Sequence, residues 1–183
     1  NRTSLNVIGN VNIVGGGVWS SDASNWTMSN SIIDNNVAPW LGGGFGFWNH
    51  DGFEGDTNPT LQNVTISNNL ANPSQTGWGI GHGGGVWASN SSTIFENCTI
   101  INNHANGVGG GVDYFDGGFP IFKNTIFDGN SSTEFGGAIY IHEDADGFYI
   151  ERCLFTNNTS AYNGAAVSAG KSGTIANSTF FGN

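Results

Sequence analysis

Basic residues are the scarcest part of this sequence. Arg2, Lys123, Arg152 and Lys171 are the only four among 183 residues, against 14 Asp and Glu, for a formal net charge of −10. Proteins that bind a phosphate backbone neutralise it with clustered Lys and Arg, so nucleic acid is excluded as a partner. Apolar runs are short too. None approaches the roughly 20 residues a helix needs to cross a bilayer, so no membrane span is expected in this segment. With no initiator Met and no signal peptide, the chain reads as mature or excerpted. Cys98 and Cys153 are the two cysteines, with no CxxC or Cys/His pattern, which excludes a disulfide scaffold and a zinc site. Apolar residues at helical spacing are missing as well, so the regular elements must be strands.

What is abundant is glycine (30 residues) and asparagine (26). Such a composition describes disorder unless it is periodic, and here it is periodic. A glycine-led strand recurs with Val18, Phe45, Val86, Val112, Ile139 and Val167 as its apolar residue, each preceded by Gly or Ala. A nine-residue block recurs as MSNSIIDNN (28–36), LQNVTISNN (61–69), FENCTIINN (95–103), FKNTIFDGN (122–130), IERCLFTNN (150–158) and IANSTFFGN (175–183). Its final asparagines are 33, 34, 27, 28 and 25 residues apart. The two long intervals each contain an insertion, one near 48–56 (WNHDGFEGD) and one near 70–82 (LANPSQTGWGIGH). The remaining period of about 25–28 residues is that of a solenoid repeat.

Within the block, the small column (Ser31, Val64, Cys98, Thr125, Cys153, Ser178) and the apolar column (Ile33, Ile66, Ile100, Phe127, Phe155, Phe180) lie two residues apart. That is the spacing of one strand face. Three short apolar runs per repeat, separated by glycine and asparagine, predict three strands per coil and an all-β, right-handed parallel β-helix of about six to seven coils, forming one domain over 1–183. A leucine-rich horseshoe would need a leucine spacing that is absent. The pairing of GGAI (136–139) with FTNN (155–158), and of GGGV (83–86) with ENCTIINN (96–103), resembles the repeats of polymorphic outer-membrane-type proteins within the wider pectate-lyase-like β-helix superfamily. The resemblance covers essentially the whole chain and implies the fold. Its members include lyases, hydrolases, adhesins and passive fibres, so it implies no single activity.

The repeat makes local predictions. Cys98 and Cys153 share a column with Thr125 between them, so their Cα atoms should be roughly 9.5 Å apart at about 4.8 Å per coil, beyond disulfide reach. Free buried thiols are expected. The final asparagines (Asn36, Asn69, Asn103, Asn130, Asn158, Asn183) should stack as an amide ladder, in left-handed turn conformations that Asn tolerates.

Several groups are candidates for function. Nine Asn-x-Ser/Thr sequons exceed the about four expected by chance, and Asn25, Asn63, Asn90, Asn97, Asn157 and Asn177 are the glycosylation candidates, with Asn130 and Asn158 less accessible in the ladder. Acidic residues gather in the turn after the glycine strand, at Asp22, Asp51, Glu54, Asp56, Asp113, Asp116, Glu143, Asp144 and Asp146, predicting an acidic edge. Asp144-Ala145-Asp146-Gly147 resembles part of a calcium loop, which makes Glu143, Asp144, Asp146 and Asp116 candidate calcium ligands, although a complete twelve-residue loop is missing. The four histidines show no metal-ligand spacing and read as loop or turn residues. Gly81-His82-Gly83 resembles the GHG element of polygalacturonases, without that family's companion motifs. Trp19, Trp87 and Tyr140 follow inward apolar residues and should point outward. With Trp48, Trp78 and Phe115 they would form an exposed aromatic stripe, the kind of surface that sugars and protein partners use.

The reading favoured by these features is an extracellular or cell-surface structural protein, part of a fibre, appendage or adhesin. It would be glycosylated, not an enzyme, without a cofactor unless calcium is bound, and self-associating head to tail into a filament. The alternatives are a carbohydrate-binding module or adhesin, and a polysaccharide lyase or hydrolase.

Overall fold

Each coil is built by residues whose conformational preferences turn the chain at fixed points. The computed structural model describes residues 6–21, 25–49, 58–72 and 81–183, and every regular element among them is a strand. One coil shows the pattern. Val86–Ser89 leads to Ile94–Glu96, Asn97 bends the chain with φ 52°, Thr99–Ile101 follows, and Asn102 bends it again with φ 54°. The strands pair in parallel with their equivalents one coil away, in register, as in Val86↔Val112, Phe95↔Phe122 and Ile100↔Phe127. This gives sheets of six, six and seven strands around one core, the right-handed β-helix that the period predicts.

A fourth ladder of two-residue strands, His104–Ala105 and its equivalents, adds to the three expected strands. It trims the insertions, because Leu70–Ala71 pairs within it and Gly81–His82 pairs with Gly107–Val108. The second insertion therefore falls between Asn72 and Gly81, narrower than 70–82. Trp48 likewise ends the strand Phe45–Trp48, so the first insertion starts after it.

Inward positions carry the core. Ile33, Ile66, Ile100, Phe127 and Phe155 are fully buried in one column, and Leu61, Phe95, Phe122 and Ile150 in another. Aromatic neighbours in a column stack directly, with Phe127–Phe155 centroids 4.7 Å and Phe155–Phe180 centroids 4.6 Å apart, close to the strand spacing of a sheet. Cys98 and Cys153 are free and buried in the small column, and Thr125 Oγ1 between them accepts from the Cys98 N–H at 3.3 Å.

The asparagine ladder is present, with one correction to its conformation. Asn103 Oδ1 accepts from both the backbone N–H and the side-chain amide of Asn69, at 3.0 and 2.9 Å, and Asn103 Nδ2 donates to Asn130 Oδ1 at 3.0 Å. The same linkage runs through Asn36, Asn69, Asn130, Asn158 and Asn183. The left-handed residue is the one before it: Asn35, Asn68, Asn102 and Asn157, with Gly129 and Gly182 in the same place. The side chain that must hydrogen-bond inward and the backbone that must turn are therefore different residues. The turn into the glycine-led strand needs glycine at its first position. Gly83 has φ +64°, and an added Cβ there would lie 2.1 Å from the Val86 carbonyl oxygen. Gly164 keeps this position where alanines replace the next two glycines.

Candidate functional site

Inward columns repeat, so any distinctive chemistry must sit on outward positions. In the glycine-led sheet, one outward column reads Trp19, Gly46, Trp87, Asp113, Tyr140 and Ser168. Two residues further along each strand, Trp48 pairs with Ser21 and Ser89. The residue before the turn glycine adds a third column, in which Leu41 bridges to both Val14 and His82. These columns surround a cavity of about 460 Å³. Its aromatic walls are Trp19, Trp40, Trp48, Trp87 and Phe115, and His82, Ser89 and Asp116 supply polar atoms.

Gly46 creates the geometry. A Cβ there would lie 2.4 Å from Cε3 of Trp19, so the Trp19 ring occupies the space a side chain would fill. Trp19 leans across it and stacks on Trp87, two coils away, at 6.2 Å between centroids and 6° between planes. Trp48 meets Trp19 edge-on at 6.3 Å. Trp40 and Trp48 are 43% and 41% exposed, so these two rings present open faces. Of the other tryptophans, Trp26 packs on Phe45 of the core, and Trp78 lies outside the described residues.

Beneath the aromatic wall sits a buried carboxylate in contact with a histidine ring. Asp113 is fully buried, and its Oδ2 lies 2.8 Å from His82 Nδ1. Burial pushes the Asp113 carboxyl above its ordinary value, opposed by the hydrogen bond from His82 and by the charges of His82 and His142. With Asp113 as acceptor, His82 donates from Nδ1, which fixes the orientation of the ring. Among the described residues, Asp113 Oδ1 and Trp87 Nε1 are buried polar atoms without a hydrogen-bond partner. Native structures leave few such atoms, and of these two residues Trp87 lines the cavity while Asp113 lies behind His82.

The chain from end to end carries one family signature: a model described as a right-handed β-helix region matches residues 1–181. The chain belongs to the right-handed β-helix family. No curated protein and no solved structure matches it.

Within this β-helix, the predicted aromatic residues are only partly brought together. Trp19, Trp48 and Trp87 line the cavity. Trp87, expected to be exposed, is 6% exposed because Trp19 covers it. Tyr140 lies outside the cavity, on a line of ring contacts that leads away from it through Phe115, His142, Tyr140, Phe135 and Tyr162. Trp40 was not foreseen as a site residue, and His82 was singled out only within the GHG likeness and not as part of the aromatic surface. Their signal is positional, since residue 41 precedes Gly42 as His82 precedes Gly83, and Trp40 sits directly before it.

Among the described residues the acids of the expected edge have different surroundings: Asp113 is buried and Asp116 lines the cavity, while Glu143, Asp144 and Asp146 are exposed, with Asp146 Oδ2 accepting from the Gly118 N–H at 2.9 Å. Asp22, Asp51, Glu54 and Asp56 lie outside the described residues. Among the described residues no three His, Cys, Asp or Glu side chains gather as a metal site, so Glu143, Asp144, Asp146 and Asp116 are not brought together as calcium ligands. His82 and His104 lie on short strands and not in loops, and His104 bridges Ser131 Oγ at 2.8 Å and Asn106 Oδ1 at 3.0 Å. The sequon residues Asn25, Asn63, Asn97, Asn157 and Asn177 are exposed, Asn90 is half-buried, and Asn130 and Asn158 are fully buried.

Proposed function

We propose that this β-helix is a glycan-binding domain of an extracellular or cell-surface protein, acting as an adhesin-type module and not as a catalyst. The observation that carries the reading is the convergence of Trp19, Trp40, Trp48 and Trp87 from three successive coils on one cavity of about 460 Å³. Flat aromatic faces with an apolar body and a polar edge suit the C–H faces and hydroxyls of a sugar ring. The volume falls in the range of small-ligand sites. The polar side chains His82, Ser89 and Asp116, with the unpartnered Trp87 N–H, suit hydroxyl groups that both donate and accept.

Glycoside hydrolysis uses two carboxylates across the scissile bond. Among the described residues lining the cavity Asp116 is the single carboxylate, with Asp113 sealed behind His82, which favours binding over turnover. The sequons and the low lysine content support an extracellular location, and the GGAI and FTNN pairing supports the likeness to polymorphic outer-membrane-type surface proteins.

The test is binding of purified protein to an array of neutral and charged oligosaccharides, repeated with Trp40→Ala and Trp48→Ala. Both rings are substantially exposed, so truncation spares the core. Retained fold with at least a tenfold loss of binding in either variant supports the proposal, given that aromatic stacking contributes about 1–3 kcal/mol. Undiminished binding in both variants overturns it.

A further inference from the structure

We infer that the ligand of this site is a linear, uncharged glycan chain laid along the solenoid axis, with the units beyond the cavity resting on the aromatic line from Phe115 to Tyr162. This inference rests on the glycan-binding reading above and names the substrate class of that same site.

Continuity carries the first part. Phe115 lines the cavity and is also the first ring of the line. From it the centroids follow in unbroken contact: Phe115–His142 at 4.8 Å, His142–Tyr140 at 5.5 Å, Tyr140–Phe135 at 6.0 Å and Phe135–Tyr162 at 5.5 Å. The line runs with the axis, because Asp113 pairs with Tyr140, Tyr140 with Ser168, and the Tyr162 N–H donates to the Glu134 carbonyl one coil back at 2.9 Å. Core aromatics such as Phe122 and Phe155 are fully buried, whereas Tyr162 is 69% exposed and Phe115, Phe135, Tyr140 and His142 are half-buried. A pocket for one sugar needs no rings past its wall. One coil advances the stack by about 4.8 Å, comparable to the length of one pyranose unit in a linear chain, so a chain leaving the cavity along the axis meets aromatic surface in the next coils. Cavity and line together follow the column from Trp19 to Ser168, roughly 24 Å at that spacing.

Charge carries the second part independently. No Lys or Arg is among the described residues that line the cavity or form the aromatic line. Each histidine on the path already has a carboxylate beside it: His82 Nδ1 lies 2.8 Å from Asp113 Oδ2, and His142 Nδ1 lies 3.7 Å from Asp144 Oδ2. Burial, and then the charges of Asp113, Glu143 and Glu134, push the Tyr140 phenol above its ordinary value, which places those acids around the middle of the line. A uronate chain carries a carboxylate on every unit and would exchange hydration for repulsion along this path. A neutral chain brings C–H faces to the rings and hydroxyls to the polar edges without that penalty.

The experiment is isothermal titration calorimetry of the full chain with linear β-linked glucose and mannose oligomers, each as dimer and hexamer, and with the galacturonate hexamer. The expected result is a neutral hexamer bound about tenfold tighter than its own dimer, and the uronate hexamer bound at least about tenfold more weakly than the neutral one. Tyr162→Ala and Tyr140→Ala should each weaken the neutral hexamer about fivefold and leave the dimer unchanged, whereas Trp48→Ala should weaken both. Thermal unfolding of each variant confirms its fold, and the exposure of Tyr162 makes its truncation the safer of the two. Equal affinity for dimer and hexamer, hexamer binding untouched by the tyrosine variants, or preference for the uronate overturns the inference while glycan binding stands. Absence of binding to every oligomer overturns both.

Discussion

Asn103→Ala removes one buried side chain and breaks the amide ladder at its centre. In the native protein Asn103 Oδ1 accepts from Asn69 N at 3.0 Å and Asn69 Nδ2 at 2.9 Å, and Asn103 Nδ2 donates to Ile66 O at 2.9 Å and Asn130 Oδ1 at 3.0 Å. Alanine keeps the bond from its own backbone N–H to Asn130 Oδ1 at 3.1 Å. The other four are lost. Asn130 Oδ1 therefore stays satisfied, while the Asn69 N–H, one Asn69 amide hydrogen and the Ile66 carbonyl lose partners in a region that is 0–1% exposed. Each buried polar group left unpaired costs about 1–3 kcal/mol, so the expected loss for three groups is about 3–9 kcal/mol, a large fraction of the stability of an ordinary domain. The neighbouring Asn102 is the control, because it is exposed and contributes a left-handed turn at φ 54°. Asn102→Ala should cost about 1 kcal/mol through that conformation alone, and Asn102→Gly close to nothing. Urea unfolding monitored by circular dichroism gives the comparison from the shift in midpoint at constant slope. An Asn103→Ala variant no less stable than Asn102→Ala would refute the view that the ladder is held by its buried amides.

Four further outcomes follow from individual positions. Gly46→Ala should displace the Trp19 ring from Trp87, red-shifting tryptophan emission and weakening glycan binding with the sheet intact; unchanged emission and binding would contradict the role assigned to Gly46. Arg152 holds φ +52° at a corner where Asn97 and Asn177 occupy the equivalent place, so Arg152→Asn should be neutral or stabilising by up to about 1 kcal/mol, read from the thermal midpoint. Burial pushes the Cys98 thiol up from 9.0 to about 11. The unfolded chain therefore releases this proton first as pH rises, so the contribution is fully present below pH 9, falls between 9 and 11, and amounts to about 3 kcal/mol at most. Cys98→Val should flatten that alkaline decline, and an identical pH profile would count against the burial. Protein secreted from a eukaryotic host should carry glycans among Asn25, Asn63, Asn90, Asn97, Asn157 and Asn177. It should carry none at Asn130 or Asn158, whose amides are buried in the ladder, and mass spectrometry after enzymatic deglycosylation decides between them.

The fold was legible because the inward columns obey one chemical rule at one period. A small residue and an apolar residue two apart, ending on asparagine, fix which atoms face the core, and the register follows from alignment alone: Cys98, Thr125 and Cys153 fall in one column in the structure as in the sequence. The conformation of the asparagine pair was readable and was missed. Gly129 and Gly182 replace the first member of the pair and never the second, as expected if the first carries positive φ and the second needs an amide. The site was less legible. Outward residues answer to neighbours one and two coils away, so Trp87 looks exposed in its own strand and is covered only because Gly46 admits Trp19. Asp113 looks like a solvated turn acid until its coil neighbour is seen to place His82 2.8 Å away.

A strictly repeated coil cannot make a cavity. Identical side chains stacked about 4.8 Å apart fill their own column, as Phe127, Phe155 and Phe180 do with centroid separations of 4.7 and 4.6 Å. A ladder of tryptophans in the outward column would form a flat wall of the same kind, apolar and without depth. Concavity requires that a coil omit a side chain, and the chain does so at Gly46, between Trp19 and Trp87. The coil after Trp87 departs again, placing Asp113 between Trp87 and Tyr140 in the column, and this acid fixes the His82 ring from behind. One position removes volume, and the other adds an oriented polar group. Both lie on a backbone whose hydrogen bonds are already satisfied within the stack, so they can change without unmaking the fold. The cavity of this solenoid therefore arises where its outward columns break the repeat, and its stability where its inward columns keep it.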